Sequence, residues 1–435
     1  MRSVASRLAE LLLAASAVVI ALTSFADAKA KFDSDESQWI GTISYFQSLF
    51  VERDLSPEAW PDEEWTRTQP MVARYVMGAW LMGRGYGDLR RLDPLRAYHE
   101  GDSLAENRRF GRAPSDQLLA EARLPMRALA ALAVAALYGV VRVVAGPIGA
   151  VVAALLASGS PYLRHHLVRA MAEAPLMFFL LAALLTLTLG LRRARPGRPA
   201  VGWAVGGGVL LGLALGTKLT AVLGLAGVAL WGLWAWGSPR PESGVAAEAF
   251  RLDRPTSQVV WAGLAVATAA VVFVASDPFL YPDPVGRSWL LFQNRQAEMA
   301  AEQSAVPSRA VLDLPTRAAL VWDRSLFHET WSNSYLGWPV EGVLAIVGLA
   351  WLAFRGVRSR AGPEALLLTW TLCVFGGVTW WLGFLLQHYF VPTAMMSVLL
   401  AGLGAAWVSQ RAWQMAQWRW SLPSSRKLSF TPRIR

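Results

Sequence analysis

The sequence predicts an all-α polytopic membrane protein, with about ten transmembrane helices and juxtamembrane helices on its outer side. Hydrophobic residues make up 54% of the 435 residues and charged residues only 17%, whereas a soluble domain carries about 25% charged residues. The chain also holds 21 tryptophans, a residue that concentrates at membrane interfaces. These values exclude an ordinary soluble enzyme and a disordered chain. The single cysteine, Cys373, excludes a disulfide framework and a cysteine-based zinc site.

Ten apolar runs have the length and composition of membrane-spanning segments, which need about 20 residues each. Lipid offers no hydrogen bonds to a free backbone, so each run is predicted to be a helix. The predicted spans are 8–26, 126–145, 147–163, 175–191, 201–217, 218–236, 258–276, 340–354, 365–386 and 391–409. Gly208, Gly212 and Gly216 recur every four residues in one run. This spacing predicts close helix packing rather than a phosphate-binding loop.

Basic loops set the predicted orientation, because short cytoplasmic loops are enriched in Lys and Arg. The cytoplasmic segments are predicted to be 192–198, 355–360 and 410–435. Alternation of the spans then places five segments outside, namely 27–125, 164–174, the turn near Lys218, 277–339 and 387–390. The formal net charge of +10 follows from these flanking residues. The expected partner of the basic residues is therefore the lipid bilayer, and no nucleic acid is expected.

The same patterns divide the chain into six segments. They are the first transmembrane helix (1–26), an outer loop with an acidic motif and juxtamembrane helices (27–125), a transmembrane core (126–276), a large outer loop (277–339), the C-terminal transmembrane helices (340–409) and a basic cytoplasmic tail (410–435). The large outer loop is predicted to form an amphipathic cap over a groove or simply a lid.

Two apolar stretches need separate treatment. The run 71–83 would reach only about 20 Å at 1.5 Å per residue, so it is predicted to lie in the outer interface without crossing. The first 28 residues have basic residues, an apolar stretch and Ala26-Asp27-Ala28. They are predicted to be a retained helix, and a cleaved signal peptide is the alternative.

The first outer loop begins with Lys31-Phe-Asp-Ser-Asp-Glu-Ser-Gln-Trp39. Its acidic pair, Asp35 and Glu36, lies just beyond the first span, where partial desolvation would tune a general base. Solvated acids of an outer loop are the alternative. The order of this acidic pair, the nearby Trp39 and a later Gln69-Pro70 turn resembles the C-type glycosyltransferases of the protein O-mannosyltransferase family and the related lipid A aminoarabinose transferases. Gln69 departs from the His that this family often has before the proline.

Three later stretches extend the resemblance over most of the chain. They are Ser160-Pro161 followed by Arg164, Arg169 and Glu173-Ala-Pro-Leu176; Gly212-Leu-Ala-Leu-Gly-Thr-Lys218; and Gln387-His388-Tyr389-Phe390-Val-Pro392. Asp277-Pro278 and Asp283-Pro284 are similar to the start of the family's large outer loop. The order of these motifs along the chain is what carries the resemblance.

The resemblance implies a C-type glycosyltransferase fold and transfer of a hexose, mannose or a related sugar, from a polyprenyl-phosphate carrier. The acceptor would be a protein, a glycan or a lipid, and the anomeric carbon would be inverted. One carboxylate takes the proton of the acceptor hydroxyl. By resemblance this is Asp35, and the second catalytic residue, Glu36, or else Glu173, would help to orient or bind. The developing charge of the leaving phosphate needs cations or donors. The implied substrate-binding residues are Arg164, Arg169, Glu173, Lys218, His388 and Tyr389.

Several of these residues have a structural alternative. Lys218 would snorkel from a helix end, and Glu173 would complement a helix N-terminus or pair with Arg169 four residues earlier. His388 and Tyr389 would belong to an interfacial aromatic belt. The sequence assigns no cofactor, and a divalent cation is the alternative. His165 and His166 are predicted to be interfacial polar residues rather than metal ligands.

The sequence therefore predicts a multi-pass protein of the plasma (inner) membrane, part of the cell envelope, with an extracytoplasmic active site. The main alternative is a transporter or flippase of lipid-linked sugars. Transporters tend to place charges at mid-membrane on broken helices of repeated halves, whereas these charges lie at helix ends and no internal repeat is visible. A structural membrane subunit is disfavoured by the clustering of polar groups on one side.

Overall fold

The computed structural model describes residues 4–193, 201–237, 255–327 and 340–421, which form eighteen α-helices. In chain order these are α1 (Val4–Ala26), α2 (Ser34–Gly41), α3 (Ser44–Phe46), α4 (Glu64–Thr68), α5 (Val72–Gly83), α6 (Leu104–Arg109), α7 (Asp116–Val144), α8 (Pro147–Gly159), α9 (Pro161–Leu167), α10 (Glu173–Arg193), α11 (Val201–Leu215), α12 (Val222–Trp236), α13 (Pro255–Ala275), α14 (Pro284–Ala305), α15 (Leu314–Leu326), α16 (Val340–Arg358), α17 (Pro363–Trp381) and α18 (Val391–Ser421). Shorter turns are a π-helix at Gln47–Glu52 and 3₁₀ helices at Leu89–Ala97, Leu219–Ala221, Pro278–Leu280, Pro307–Arg309 and Gln387–Phe390.

All ten predicted spans lie on helices of this structure. Seven helices of the described residues are long and apolar enough to cross a membrane. The other three predicted spans correspond to shorter apolar helices, at Leu12–Ala26, Pro147–Gly159 and Val201–Leu215. The predicted fold class, an all-α polytopic membrane protein, is confirmed.

The second span starts earlier than its apolar run indicates. Helix α7 begins at Asp116 instead of near residue 126, and the Ser115 hydroxyl caps it by accepting a hydrogen bond of 3.2 Å from the Leu118 amide. Asp116, Gln117, Glu121 and Arg123 interrupt the apolar residues of these extra turns, so a search for a continuous apolar run does not detect them. The extension matters because it carries Arg123 towards the first outer loop.

Ion pairs connect the helix ends that lie away from the first outer loop. Glu10 of α1 pairs with Arg142 of α7 at 2.5 Å. Glu364, at the start of α17, lies 2.9 Å from Arg192 of α10 and 3.6 Å from Arg355 of α16. We call this end of the bundle the opposite face, and the end that carries α2–α6, α9, α14 and α15 the site face. Arg192 and Arg355 come from two of the loops predicted to share one side, and the structure brings them together.

Some predicted segments lie outside the described residues. These are residues 194–198 of the first basic loop, residues 328–339 of the large outer loop and residues 422–435 of the basic tail.

Helix α5 does not cross the bundle. At its start the Val72 amide donates to the Gly216 carbonyl at 2.7 Å, and just beyond its end Arg84 forms two hydrogen bonds of 3.1 Å with Glu121 in the first turns of α7. Both partners belong to the site face, so the two ends of α5 lie on the same side. This geometry agrees with the predicted juxtamembrane helix.

The large outer loop is attached to the connection between α17 and α18. The Val311 amide donates to the Gly383 carbonyl, and the Leu385 amide donates to the Arg309 carbonyl, each at 2.9 Å. These bonds flank an isolated antiparallel bridge between Ala310 and Phe384. The loop is thereby held directly beside the 3₁₀ turn Gln387–Phe390.

Helices α11 and α13 pack closely at the predicted glycine stripe. A Cβ atom added at Gly208 would lie 2.5 Å from the Ala265 carbonyl oxygen, and one added at Gly212 would lie 2.6 Å from that of Ala269. At Gly216 the nearest atom would be the Ser276 hydroxyl, at 2.6 Å. The absence of side chains at these positions therefore permits the close contact.

We expect Gly212→Ala to lower the midpoint of thermal unfolding in detergent, because its methyl group would collide with the α13 backbone. Gly202→Ala is the matched control, since it lies on the same helix with no atom within 4 Å of the added Cβ. Alanine exceeds glycine in helix propensity by about 1 kcal/mol, so this control should unfold at the same or a higher temperature. Equal shifts in the two variants would contradict the packing argument.

Candidate active site

A buried ion pair organises the start of the first outer loop. Glu36 is fully buried, and Arg123 donates to its two carboxylate oxygens from Nε at 2.8 Å and from a terminal nitrogen at 2.5 Å. The Ala170 amide donates to Oε1 at 2.7 Å, and the Asp33 amide donates to Oε2 at 3.2 Å. Glu36 therefore joins three segments of the chain, and its oxygens are occupied by protein donors.

Arg123 is held as firmly as its partner. Its remaining hydrogen bonds go to the carbonyl oxygens of Ala30, at 2.9 Å, and Lys31, at 3.3 Å. The guanidinium thus fixes the chain just before α2, and α2 begins in a defined place relative to α7. This environment of Glu36 differs from the one expected for a catalytic carboxylate, which needs a free oxygen.

Asp35, the neighbouring residue, is in a contrasting position. It lies in the first turn of α2, where its amide donates to the Asp33 side chain at 3.2 Å, and its carboxylate has no hydrogen-bond partner among the described residues. Burial raises its pKa to about 7, the charges of Asp33 and Glu173 add to this rise, and Lys218 opposes it. A carboxylate of this kind is a candidate general base near neutral pH.

Glu173 and Lys218 form a second buried ion pair. Lys218 Nζ lies 2.8 Å from Glu173 Oε1, and Glu173 is 2% exposed. The other oxygen, Oε2, is buried and lacks a hydrogen-bond partner among the described residues. Lys218 follows α11 and also lies 5.7 Å from the centre of the Tyr389 ring. The predicted residues Glu173, Lys218 and Tyr389 are thus brought together from three distant parts of the chain.

Arg169 pairs with the first loop and not with Glu173. One terminal nitrogen lies 2.7 Å from Asp33 Oδ2, and the other lies 2.8 Å from His165 Nε2. Since the guanidinium donates to that nitrogen, the proton of a neutral His165 is on Nδ1. Arg169 lies in the non-helical break between α9 and α10, so the helical spacing that suggested a pair with Glu173 does not apply.

The large outer loop contributes an arginine that the sequence did not single out. Arg295 of α14 donates to the Tyr389 hydroxyl and to Glu298, and its guanidinium lies 5.8 Å from the centre of the Tyr389 ring. Lys218, Arg295 and Arg169 are all within electrostatic range of His388. Positive charges from three segments therefore face the turn Gln387–Phe390.

The remaining predicted residues are more peripheral. Arg164 has a buried Nε without a hydrogen-bond partner in the described structure, and none of the contacts above joins it to Lys218 or Asp35. Gln69, at the position where the resembled family often has His, uses its backbone carbonyl to accept a hydrogen bond of 3.2 Å from Arg74. Asp277 is fully buried and caps the turn that follows α13, with its Oδ1 accepting from the Phe279 amide at 3.2 Å.

Sequence reasoning missed Asp33, Arg123 and Arg295. Asp33 carries a detectable signal, because Asp33-Ser-Asp-Glu36 has the spacing of a helix capping box. Arg123 and Arg295 carry none, since each reaches a partner 87 or 94 residues away along the chain. As for metals, the described residues contain no group of three or more His, Cys, Asp or Glu side chains arranged to hold an ion.

The site cluster (Asp33, Asp35, Arg169, Glu173, Lys218, His388 and Tyr389) therefore combines unequal carboxylates with several cations at one end of the bundle. Glu36 and Glu173 are paired with Arg123 and Lys218, and Asp35 is the acid left without a direct partner among the described residues. Such a site can accept a proton at Asp35 and stabilise an anion beside Lys218 and Arg169.

Comparisons with known proteins agree with this architecture. Residues 116–242 match the sequence model of the dolichyl-phosphate-mannose-protein mannosyltransferase family. A search of curated proteins found no match.

Two solved structures illustrate the likeness in fold. The archaeal oligosaccharyltransferase AglB from Archaeoglobus fulgidus, in complex with an inhibitory peptide and a dolichol-phosphate, is 16% identical, with a TM-score of 0.54 over 98% of this chain and 53% of that chain. ArnT from Cupriavidus metallidurans, bound to undecaprenyl phosphate, is 17% identical, with a TM-score of 0.50 over 94% of this chain and 63% of that chain. The chain spans about half the length of AglB. The predicted resemblance is confirmed at the level of the fold, which this chain shares with both structures.

We expect Glu36→Gln to destabilise the protein by about 3–5 kcal/mol, because removal of one partner leaves the other charge buried and unpaired. Thermal unfolding in detergent measures the loss. Glu121→Gln is the matched control, since Glu121 also forms two hydrogen bonds with an arginine, Arg84, whose side chain is 53% exposed. Exposed pairs contribute little, so this control should unfold like the wild type. A similar loss in both variants would refute the central role of Glu36.

Proposed function

We propose that this protein is a membrane glycosyltransferase that transfers a hexose, mannose or a related sugar, from a polyprenyl-phosphate carrier to an acceptor. The acceptor is a protein, a glycan or a lipid. The reaction takes place at the site face, which is the extracytoplasmic side of the plasma (inner) membrane. The observation that carries the proposal is the meeting of Asp35, a poised base, with Lys218 and Arg169 at one end of the helices.

The chemistry follows from the two halves of the site cluster. Asp35 accepts the proton of the acceptor hydroxyl, and the acceptor oxygen forms a bond to the anomeric carbon of the sugar. The bond between that carbon and the phosphate oxygen breaks at the same time, and its electron pair leaves with the polyprenyl phosphate. A single displacement of this kind inverts the configuration of the anomeric carbon. Cations beside the leaving oxygen stabilise the charge that develops there.

The groups that receive the phosphate are the cations around the turn Gln387–Phe390. Lys218 and Arg295 lie on the Tyr389 ring, and Arg169 is within electrostatic range of His388. Each of two cations forms an ion pair with one carboxylate: Lys218 pairs with Glu173, and Arg169 pairs with Asp33. These pairs hold the cations in place before the anion binds, and preorganised charge is more effective in a transition state than charge that must first move.

Glu36 helps to orient the site and does not accept the proton in this proposal. Its two oxygens accept from Arg123, the Ala170 amide and the Asp33 amide, and an acid that is fully engaged cannot take up a substrate proton. We assign Glu36 a positioning role, in which it fixes Asp35 on one side and Arg169 on the other. Asp35 is then the single general base of the proposal.

The comparisons support a lipid phosphate as one substrate. The AglB structure contains a dolichol-phosphate and the ArnT structure contains undecaprenyl phosphate, and both compounds are polyprenyl phosphates. The matched family is named for a mannose donor and a protein acceptor. The location of the site cluster at helix ends, with no contribution from mid-membrane charges, favours an enzyme over a transporter or flippase of lipid-linked sugars.

We expect Asp35→Asn to abolish sugar transfer while the protein still folds, because an amide cannot act as a base. The measurement is transfer from a radiolabelled polyprenyl-phosphate sugar in membranes that contain each variant. Asp27→Asn is the control, since Asp27 is an exposed acid directly after α1, and the activity of this variant should match the wild type. Full turnover by Asp35→Asn would refute the base assignment. Movement of the labelled carrier across vesicles without a glycosylated product would favour the transporter.

The pH profile gives a further test. The folded pKa of Asp35 is raised from 3.8 to about 7, so its basic form is lost as the pH falls through 7. We expect kcat/KM to rise with pH along an acidic limb with its midpoint near 7. Glu173→Gln removes a negative charge that raises the pKa of Asp35, so this limb should shift to lower pH. A limb that stays in place would exclude electrostatic coupling between these two acids.

A further inference from the structure

His166 is a buried side chain whose two ring nitrogens lack hydrogen-bond partners among the described residues. The side chain is 2% exposed, and neither Nδ1 nor Nε2 has a partner among the described residues. Burial, together with Arg169 and His165, lowers its pKa to about 3, so the ring is neutral and carries one donor and one acceptor. A buried polar group without partners is costly, which makes this ring a place where a polar ligand is expected.

The surroundings of His166 are fixed, so the ring cannot easily turn to find a protein partner. Helix α9 is capped by the Ser160 hydroxyl, which accepts from the Leu163 amide at 3.2 Å. The Tyr162 hydroxyl donates to the Gln387 carbonyl, which joins α9 to the turn that carries His388. The His166 ring packs against those of Tyr162 and His165, at 4.7 and 5.0 Å between ring centres.

The location of His166 relates it to the site cluster. Glu173 and His388 are within electrostatic range of its ring. Glu173 Oε1 is engaged with Lys218, whereas Glu173 Oε2 is buried without a partner among the described residues. Asp35 is also within electrostatic range of Glu173 and Lys218. The Glu173 carboxylate is thus within electrostatic range of both the proposed base and His166.

The two ring nitrogens of His166 without hydrogen-bond partners indicate which kind of ligand would bind there. A phosphate would require cations, and His166 is neutral. An isoprenoid chain would leave both nitrogens unsatisfied. A hydroxyl group is uncharged and both donates and accepts, so it matches the neutral imidazole. In a polyprenyl-phosphate sugar the ring hydroxyls lie next to the phosphate, and the phosphate is proposed to lie beside Lys218.

We propose that His166 binds a hydroxyl of the donor sugar and thereby helps to determine which sugar the enzyme accepts. This inference rests on the proposed function. It assigns no proton transfer to His166, which is a binding residue beside the reacting carbon and not the base. The second unmet acceptor, Glu173 Oε2, is available to the same sugar.

The test compares two lipids on purified full-length protein in detergent. One is a bare polyprenyl phosphate, and the other is the same lipid carrying mannose or, in a parallel measurement, glucose. His166→Phe keeps an aromatic ring at this position and removes both nitrogens. We expect this variant to bind the bare lipid like the wild type and the preferred sugar lipid about tenfold more weakly or worse. His166→Gln, which restores a donor and an acceptor, should recover part of the affinity.

Stability separates binding from a structural role. His166→Phe removes two unmet polar atoms from the interior, so its unfolding temperature should equal or exceed that of the wild type. His99→Phe is the control, since the His99 side chain is 64% exposed, and both affinities should be unchanged. Equal weakening towards both lipids in His166→Phe, or no weakening towards either, would overturn the inference. So would a wild type that binds the bare and sugar-bearing lipids equally well, although a lipid-phosphate site would then survive. A wild type that binds neither lipid would overturn the proposed function as well.

Discussion

The buried pair of Glu36 and Arg123 is the constraint on which the rest of the site depends. A carboxylate with no access to water needs protein donors for its oxygens, and Glu36 obtains them from α7, from the break before α10 and from its own capping turn. Asp35 is the chain neighbour of Glu36. Arg169 directly precedes Ala170, and the Ala170 amide donates to Glu36. The same carboxylate therefore sets the position of the candidate base and of one candidate phosphate ligand. Glu36 thus positions both the candidate base, Asp35, and the candidate phosphate ligand, Arg169, and is itself neither a base nor a phosphate ligand.

The site also depends on an uneven distribution of charge among its acids. Glu36 is matched by Arg123, Glu173 by Lys218 and Asp33 by Arg169, and each of these pairs keeps a charged group at low dielectric in a defined place. Asp35 faces two of these acids and has no direct partner in the described residues, so its charged form is disfavoured relative to its neighbours. These acids therefore differ in role because their surroundings differ, and not because some are Asp and others Glu.

The sequence predicts the spans well because lipid imposes one local requirement, a continuous apolar helix, at all of them. The same rule locates α5 as a helix too short to cross. The site is only partly predictable, since its geometry is made by contacts between distant segments. Arg123 and Arg295 are two arginines among many, and nothing near them in the chain indicates their partners. The four-residue spacing of Arg169 and Glu173 is misleading for a related reason. Such a spacing brings two side chains together only within one helix, and the residues between α9 and α10 are not helical.

The ion pairs at the opposite face have a mechanical consequence. Glu364 is 3% exposed and is shared by Arg192 and Arg355, so it ties α10, α16 and α17 together at the end far from the site. Separation of these helices there would leave a carboxylate in an apolar environment without its cations, which is expensive. The opposite ends of α10, α16 and α17 are therefore expected to stay together whenever the bundle changes shape.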